Sequence, residues 1–138
     1  MNKSRLLLML ASLLFAPLSI AAPPSGRPQV QLQCVSYGMG PMLECTAALQ
    51  RADGSALEGA QVMLGALMPS MPMAHTIKPV KATPTGKPGE YKGTLELEML
   101  GLWSVEVDIS GPARDKVARP LMVHECKGDQ RCPATHAR

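Results

Sequence analysis

The sequence has few aromatic residues and no clustered basic stretch. It holds one Trp, two Tyr and one Phe in 138 residues, and its 14 Lys and Arg side chains are spread along the chain. Proteins that bind nucleic acid need a basic stripe or aromatic side chains that stack on bases. We therefore predict that this chain does not bind nucleic acid.

Catalytic motifs are also missing. The chain contains no Gly-x-Ser-x-Gly motif and no glycine-rich phosphate loop that opens a helix. Cysteines of an exported chain are oxidised and therefore poor nucleophiles. The acidic residues between positions 96 and 108 alternate with apolar ones, which is typical of the solvated face of a sheet. We predict that the protein is not an enzyme.

The sequence has only one long hydrophobic run, and it lies at the N-terminus. Two basic residues precede the apolar run Leu6 to Ile20, and small residues then supply a cleavage site. The run is about 15 residues long, shorter than the roughly 20 that a membrane-spanning helix needs. We predict a signal peptide over residues 1–21, cleaved after Ala21 or Ala22, and export to the periplasm. No cysteine stands directly after the cleavage site, so no lipid anchor is predicted.

The mature chain is nearly neutral and long enough for one domain. Two of the 14 basic residues fall in the signal peptide, and the 12 that remain face 11 acidic residues. A chain of about 117 residues can enclose a buried core. We predict a linker over residues 22–28, a β-sandwich domain over residues 29–126, and a polar tail with a cysteine loop over residues 127–138.

Stretches in which apolar and polar residues alternate dominate this domain. The alternation is strictest in residues 91–99 and 103–110. A period of two residues is typical of a strand with one buried and one solvated face. Six or seven such strands without an amphipathic helix predict an all-β fold, an antiparallel β-sandwich. Tyr91 and Trp103 fall on the inward phase and are predicted core residues.

Four cysteines in an exported chain favour two disulfides. Cys34 and Cys45 both fall on the apolar phase of two strands joined by a tight turn at residues 38–41. Folding these strands into a hairpin sets the two cysteines opposite each other, which predicts a Cys34–Cys45 disulfide. Elimination leaves a Cys126–Cys132 disulfide. The alternative for the second pair is a Zn(II) site with reduced thiols. Its four ligands would be His124, Cys126, Cys132 and His136.

The segment Met68–His75, which we call the Met/His segment, places three thioethers and one imidazole within eight residues. Thioethers are soft, polarizable donors, and the cation that such a set suits is Cu(I). Two prolines in the segment favour extended or polyproline geometry, which would gather at least two donors on one side. We predict a copper site with Cu(I) favoured. Its ligands would be Met68, Met71, Met73 and His75, with Met99 as a further candidate.

Other interpretations of these residues stay open. The Met/His segment could be a flexible apolar loop that packs on the sandwich or on a partner protein, since methionine is adaptable. The chain contains ten methionines, so part of the clustering follows from composition. The inward phase of Met99 favours a core position over a ligand position.

The region from Leu57 to Ile109 resembles the YtkA-like family, which includes FixH-type proteins. The resemblance depends on a Met-Pro-x-Met-Pro-type segment, here Met68–Pro72, and on the Gly89-Glu90-Tyr91 turn. A Met-x-Gly-x-Trp element on the next hairpin, here Met99–Trp103, completes it. The resemblance implies an immunoglobulin-like sandwich that faces the bacterial periplasm. It also implies copper handling or the assembly of copper-containing oxidases. FixH-type relatives keep an N-terminal membrane anchor, whereas this chain carries a cleavage site.

Two functional hypotheses follow from these features. The first is a periplasmic copper-binding protein, a carrier, buffer or metallochaperone-like protein, which would exchange the metal with a periplasmic or inner-membrane copper protein. His75 would also stabilise Cu(II) and would release the metal when protonated. The second is a metal-free periplasmic interaction module, or an assembly factor for an oxidase or transporter complex of the envelope.

Overall fold

The computed structural model describes residues 26–37, 41–128 and 130–137. The predicted signal peptide, residues 22–25 of the predicted linker and the tip of the first hairpin lie outside these ranges. Within the described ranges all the regular structure is β-strand. No helix in this part of the chain has the length and apolar character needed to cross a membrane. The prediction of an all-β fold is confirmed.

Nine strands follow one another in the described residues. They are β1 (Gln29–Tyr37), β2 (Met42–Gln50), β3 (Gln61–Leu67), β4 (Thr76–Pro84), β5 (Glu90–Glu96), β6 (Gly101–Ser110), β7 (Asp115–Val123), β8 (Cys132–Pro133) and β9 (Thr135–His136). The first seven agree with the six or seven strands that the sequence predicts, and the last two contain two residues each.

The strands are antiparallel and lie in the order β8-β1-β2-β5-β4-β3-β6-β7-β9. β1, β2 and β5 form one layer, and β3, β6 and β7 form the other. β4 pairs with β3 along most of its length and with β5 only at Thr83 and Pro84. The result is a sandwich that is nearly a closed barrel around one core.

The first hairpin has the register that its sequence predicts. Cys34 pairs with Cys45, and Leu32 pairs with Ala47. The predicted Cys34–Cys45 disulfide joins the two strands, with the Cα atoms 4.1 Å apart. The apolar side chains of both strands are buried, and a shift of the register by one residue would expose them. The match between hydrophobic pattern and cysteine position therefore determined both the register and the crosslink.

The two predicted aromatic core residues, Trp103 and Tyr91, are buried, and each has its polar group satisfied. Trp103 Nε1 donates a hydrogen bond to the Met99 carbonyl at 3.0 Å. The Tyr91 hydroxyl donates to the Leu57 carbonyl at 3.1 Å and accepts from Ala60 N at 3.0 Å. A buried aromatic residue with a bonded polar atom fixes both the core and the loop that it contacts. Trp103 thereby holds the loop that contains Met99.

A proline interrupts the pairing of β3 with β4. The register shifts between Leu64 and Ala66, so the β3 residue between them lies opposite two residues of β4, one of which is Pro79. Proline cannot donate to a ladder, and a bulge accommodates it. Pairing then continues to Leu67 and Thr76. These two residues hold the ends of the Met/His segment together.

The C-terminal residues connect the two sheet edges. β8 pairs with β1, where Cys132 lies opposite Ser36, and β9 pairs with β7, where His136 lies opposite Leu121. The predicted disulfide between Cys126 and Cys132 is confirmed, and it joins this tail to the chain that follows β7. The sequence analysis missed both strands because a strand of two residues has no alternation to detect.

Candidate metal centre

Three loops meet at one end of the sandwich, which we call the loop end. The Met/His segment connects β3 to β4, the β5–β6 loop spans residues 97–100, and Pro41 leads into β2 at the same end. Leu97 N, in the β5–β6 loop, donates to the Pro41 carbonyl of the hairpin at 3.0 Å. His75 of the Met/His segment contacts Glu98 of the β5–β6 loop. The loop end is thus built from parts that are distant in sequence.

The Met/His segment forms two consecutive turns. Met71 N donates to the Met68 carbonyl at 3.0 Å, and Ala74 N donates to the Met71 carbonyl at 3.1 Å. Met68 N donates to the His75 carbonyl at 3.0 Å and closes the loop. The predicted extended or polyproline geometry is therefore wrong. Hydrogen bonds within the segment satisfy the backbone N–H groups of Met68, Met71, Ala74 and His75. The paired ends of β3 and β4 force the chain to reverse.

Met68 lies in the core. Its side chain is only 5% exposed, because the inward alternation of β3 continues one residue beyond the strand. A Cβ on Gly101 would lie 3.6 Å from Met68 Cε, so the thioether packs against the start of β6. The methionine therefore anchors the first turn of the Met/His segment to the core.

The other two methionines of the segment are open to solvent. The side chain of Met71 is 42% exposed and that of Met73 is 98% exposed. Both sulfur atoms are therefore accessible to a ligand from solution.

His75 lies between the Met/His segment and the β5–β6 loop. Its Nδ1 atom is hydrogen-bonded to Glu98 Oε2. The side chain of His75 is 26% exposed, so part of it stays accessible to solvent. The imidazole is thus held by a carboxylate from a neighbouring loop rather than lying free in solvent.

Met99 follows Glu98 directly and differs from its predicted core position. β5 ends at Glu96, the alternation of buried and exposed residues continues only to Glu98, and Met99 is 39% exposed. Its backbone carbonyl accepts the Trp103 Nε1 hydrogen bond, which fixes the turn. Because Glu98 contacts His75, the loop that carries Met99 adjoins the Met/His segment. A fourth accessible donor group therefore belongs to the same end of the molecule.

Sequence reasoning missed two features of the loop end. Glu98 is assigned from the alternation to a solvated sheet face, whereas it pairs with His75. Leu100 and Leu102 are 42% and 37% exposed beside Met99. The sequence gives no local signal for this exposure, because its alternation continues through Met99 although β5 ends at Glu96. The contact with His75 depends on tertiary structure and leaves no local signal.

The alternative Zn(II) site in the tail is not supported. Cys126 and Cys132 are joined in a disulfide, and the described residues contain no free cysteine. His124 Nε2 lies 3.4 Å from Thr135 Oγ1, and His136 belongs to β9. Among the described residues no group of three or more His, Cys, Asp or Glu side chains is placed to hold a metal. A site at the loop end would therefore depend on thioether sulfur.

The donors at the loop end fit a soft cation better than a hard one. Two accessible thioethers and an imidazole come from the Met/His segment, and a third thioether comes from the adjoining loop. Hard cations such as Mg²⁺ and Ca²⁺ prefer several carboxylate or carbonyl oxygens, whereas thioethers favour Cu(I). The chemistry of these side chains is therefore compatible with copper.

Comparison with known proteins identifies the family. The YtkA-like family model matches residues 29–108, which is more than half of the chain. The match begins at the start of β1 and includes the N-terminal hairpin, which the motif-based resemblance left outside. No curated protein and no solved structure matches the chain. The match ends within β6, so β7 and the tail lie beyond it. On the extent of this match, the chain belongs to the YtkA-like family.

Proposed function

We propose that this protein is an exported copper-binding protein that carries or buffers Cu(I) in the periplasm. The single observation that carries the proposal is the exposure of soft donors at the loop end. Met71 and Met73 are exposed on a short closed loop, and His75 lies beside them. The predicted signal peptide supports export, and the resemblance to the YtkA-like family implies copper handling.

The proposed ligand set differs from the full set that the sequence suggests. Met68 packs in the core, so we assign it to anchoring the loop rather than to the metal. Met71, Met73 and His75 would bind the ion, and Met99 would complete the site from the β5–β6 loop. Copper would be held as a bound cargo in a soft, partly apolar environment.

An exposed site of this kind suits transfer of the metal. A ligand as exposed as Met73 can be replaced by a ligand from a partner while the others keep hold of the ion. The partner would be a periplasmic or inner-membrane copper protein with thioether or imidazole ligands. We therefore propose a carrier or buffer and no catalytic role.

A copper titration tests the proposal directly. Cu(I) would be titrated into the mature protein under anaerobic conditions, in competition with a coloured chelator. The Met71→Ala/Met73→Ala/His75→Ala variant should lose at least about tenfold in affinity, because three ligands are removed. Met63→Ala is the matched control, since Met63 lies within β3, paired with Lys81 and Asp108, away from the loop end. Equal affinities for all three proteins would contradict the proposal.

A metal-free interaction module is the second candidate. The exposure of Leu100 and Leu102 next to Met99 favours it, because these side chains have no ligand chemistry and extend an apolar surface. Replacing Met71 and Met73 by Leu separates the two functions. Leucine keeps the apolar contact area but removes the sulfur, so copper affinity should fall while partner binding should persist.

A further inference from the structure

We infer that Glu98 is a positioning residue, which orients His75 so that Nε2 is the nitrogen offered to the metal. The inference rests on the proposed function, because it concerns the same site. It adds a residue from another loop whose side chain does not contact the metal itself.

The hydrogen-bonding rules of the two groups determine the tautomer. An ionised carboxylate can only accept hydrogen bonds, so the Nδ1 atom that contacts Glu98 Oε2 must carry the proton. In a neutral imidazole only one nitrogen is protonated, which leaves the lone pair on Nε2. Metal-ligating histidines commonly donate their other ring N–H to a carboxylate in this way, which fixes the ring and strengthens the ligand.

Glu98 stands on a firmly held part of the β5–β6 loop. On one side Leu97 is buried, and its N–H donates to the Pro41 carbonyl at 3.0 Å. On the other side the Met99 carbonyl accepts the Trp103 Nε1 hydrogen bond at 3.0 Å. Both neighbours of Glu98 are therefore tied to the body of the sandwich. A carboxylate on such a rigidly held loop restricts the orientation of the imidazole that it contacts, as a preorganised site requires.

The contact also joins the two loops that supply the proposed ligands. Met71, Met73 and His75 belong to the Met/His segment, and Met99 lies one residue beyond Glu98 in the β5–β6 loop. Loss of the carboxylate would free the imidazole and loosen the connection between the loops. Removing such an outer partner typically costs about 10–100-fold in metal affinity.

Two measurements on three variants test this inference. Glu98→Ala removes the contact, and Glu98→Gln keeps the size and an acceptor oxygen but removes the charge. Glu96→Ala is the matched control, since Glu96 is exposed two residues earlier and makes no side-chain hydrogen bond or ion pair with any described residue. Nitrogen NMR of the metal-free protein at mildly alkaline pH identifies which ring nitrogen of His75 is protonated. Competition titration then gives the Cu(I) affinity of each protein.

We expect the proton on Nδ1 in the native protein and in Glu96→Ala, and a mixture of tautomers in Glu98→Ala. The affinity of Glu98→Ala should fall by about tenfold or more, with Glu98→Gln between it and the native protein. A proton on Nε2 in the native protein would overturn the inference. So would native affinity in Glu98→Ala. A native protein that binds no Cu(I) would instead remove the proposed function and the ligand role of Nε2 together, and NMR would still report separately on the Glu98 contact.

Discussion

Tyr91 shows at the scale of one residue how the core controls a connection outside it. Its ring lies on the inward phase of β5, where the alternation predicts it. Its hydroxyl group contacts the chain between β2 and β3, through the Leu57 carbonyl and the Ala60 N–H. A single side chain therefore joins one sheet to the connection that leads to the other.

Replacing Tyr91 by Phe tests this role. The variant leaves a buried carbonyl and an amide N–H without their partner, so the free energy of unfolding should fall by about 1–3 kcal/mol. Urea unfolding followed by Trp103 fluorescence measures the change. Tyr37→Phe is the control, because Tyr37 is half-buried beneath Arg131 and its hydroxyl makes no hydrogen bond to the described residues. A loss of the same size in Tyr37→Phe would argue against the hydroxyl contacts as the cause.

The proposed ligand residues also show what a sequence can and cannot predict at this scale. The Met/His segment was identifiable from composition, because soft donors were concentrated in one stretch. Met68 continues the alternation of β3 into the core, although the concentration of soft donors placed it among the predicted ligands. The exposure of Met99 did not, because nothing local marks the end of β5 at Glu96. The pairing of Glu98 with His75 spans 23 positions in the chain and depends on the fold.

The turn between β4 and β5 is an element in which two glycines have different roles. Gly86 and Gly89 both have positive φ, at 96° and 70°. A Cβ on Gly86 would meet nothing within 4 Å, whereas a Cβ on Gly89 would lie 2.6 Å from the Leu49 carbonyl oxygen. The first position needs glycine only for its backbone angle. The second also needs it because another part of the backbone passes close by.

Alanine substitutions at the two positions separate these effects. Gly86→Ala should cost about 1–2 kcal/mol, the usual penalty of a left-handed conformation with a Cβ. Gly89→Ala should cost about 2–5 kcal/mol, because a steric clash with backbone is added to the same penalty. Thermal or urea unfolding of both variants gives the difference. Equal costs would show that the backbone of β2 at Leu49 moves aside without resistance.

At the level of elements, register could be predicted where hydrophobic alternation and cysteine position agreed, as in β1 and β2. The short strands of the tail could not, because pairing of two residues is decided by proximity rather than by propensity. The Met/His segment lies between these cases. Its position between two strands was predictable, but its turn conformation depends on the closing hydrogen bond between Met68 and His75.

An ion pair joins the two edge strands β1 and β7 at one end of the molecule. Arg27 precedes β1, and its guanidinium donates two hydrogen bonds to Asp115 at the start of β7, at 2.8 and 2.9 Å. The side-chain hydrogen bond from Arg27 lowers the pKa of Asp115 below its ordinary value of 3.8. The pair bridges the edges of the two sheets at the end opposite the tail strands. It therefore links folding stability to pH.

We expect this stabilisation above pH 3.8, where an unfolded Asp115 would be ionised. It should be lost as the pH falls through the lower pKa of the folded state, because the protonated carboxyl no longer pairs with Arg27. Arg27→Ala should therefore be less stable than the native protein at neutral pH, and the difference should vanish in strong acid. Urea unfolding of both proteins across this range measures it. A difference that persists in strong acid would point to lost packing instead of lost charge pairing.

Both disulfides connect cysteines that are close neighbours along the chain, separated by 11 and 6 positions. Neither loop encloses another crosslink, so each bond can form without waiting for the other half of the molecule. An oxidant alone should then restore the native pairs in a fully reduced sample, with little need for an isomerase to correct errors. If the chain is exported as its sequence predicts, the first bond can form while later strands are still crossing the membrane. Cys34 and Cys45 would then pair before Cys126 and Cys132 are present, which prevents non-native disulfides.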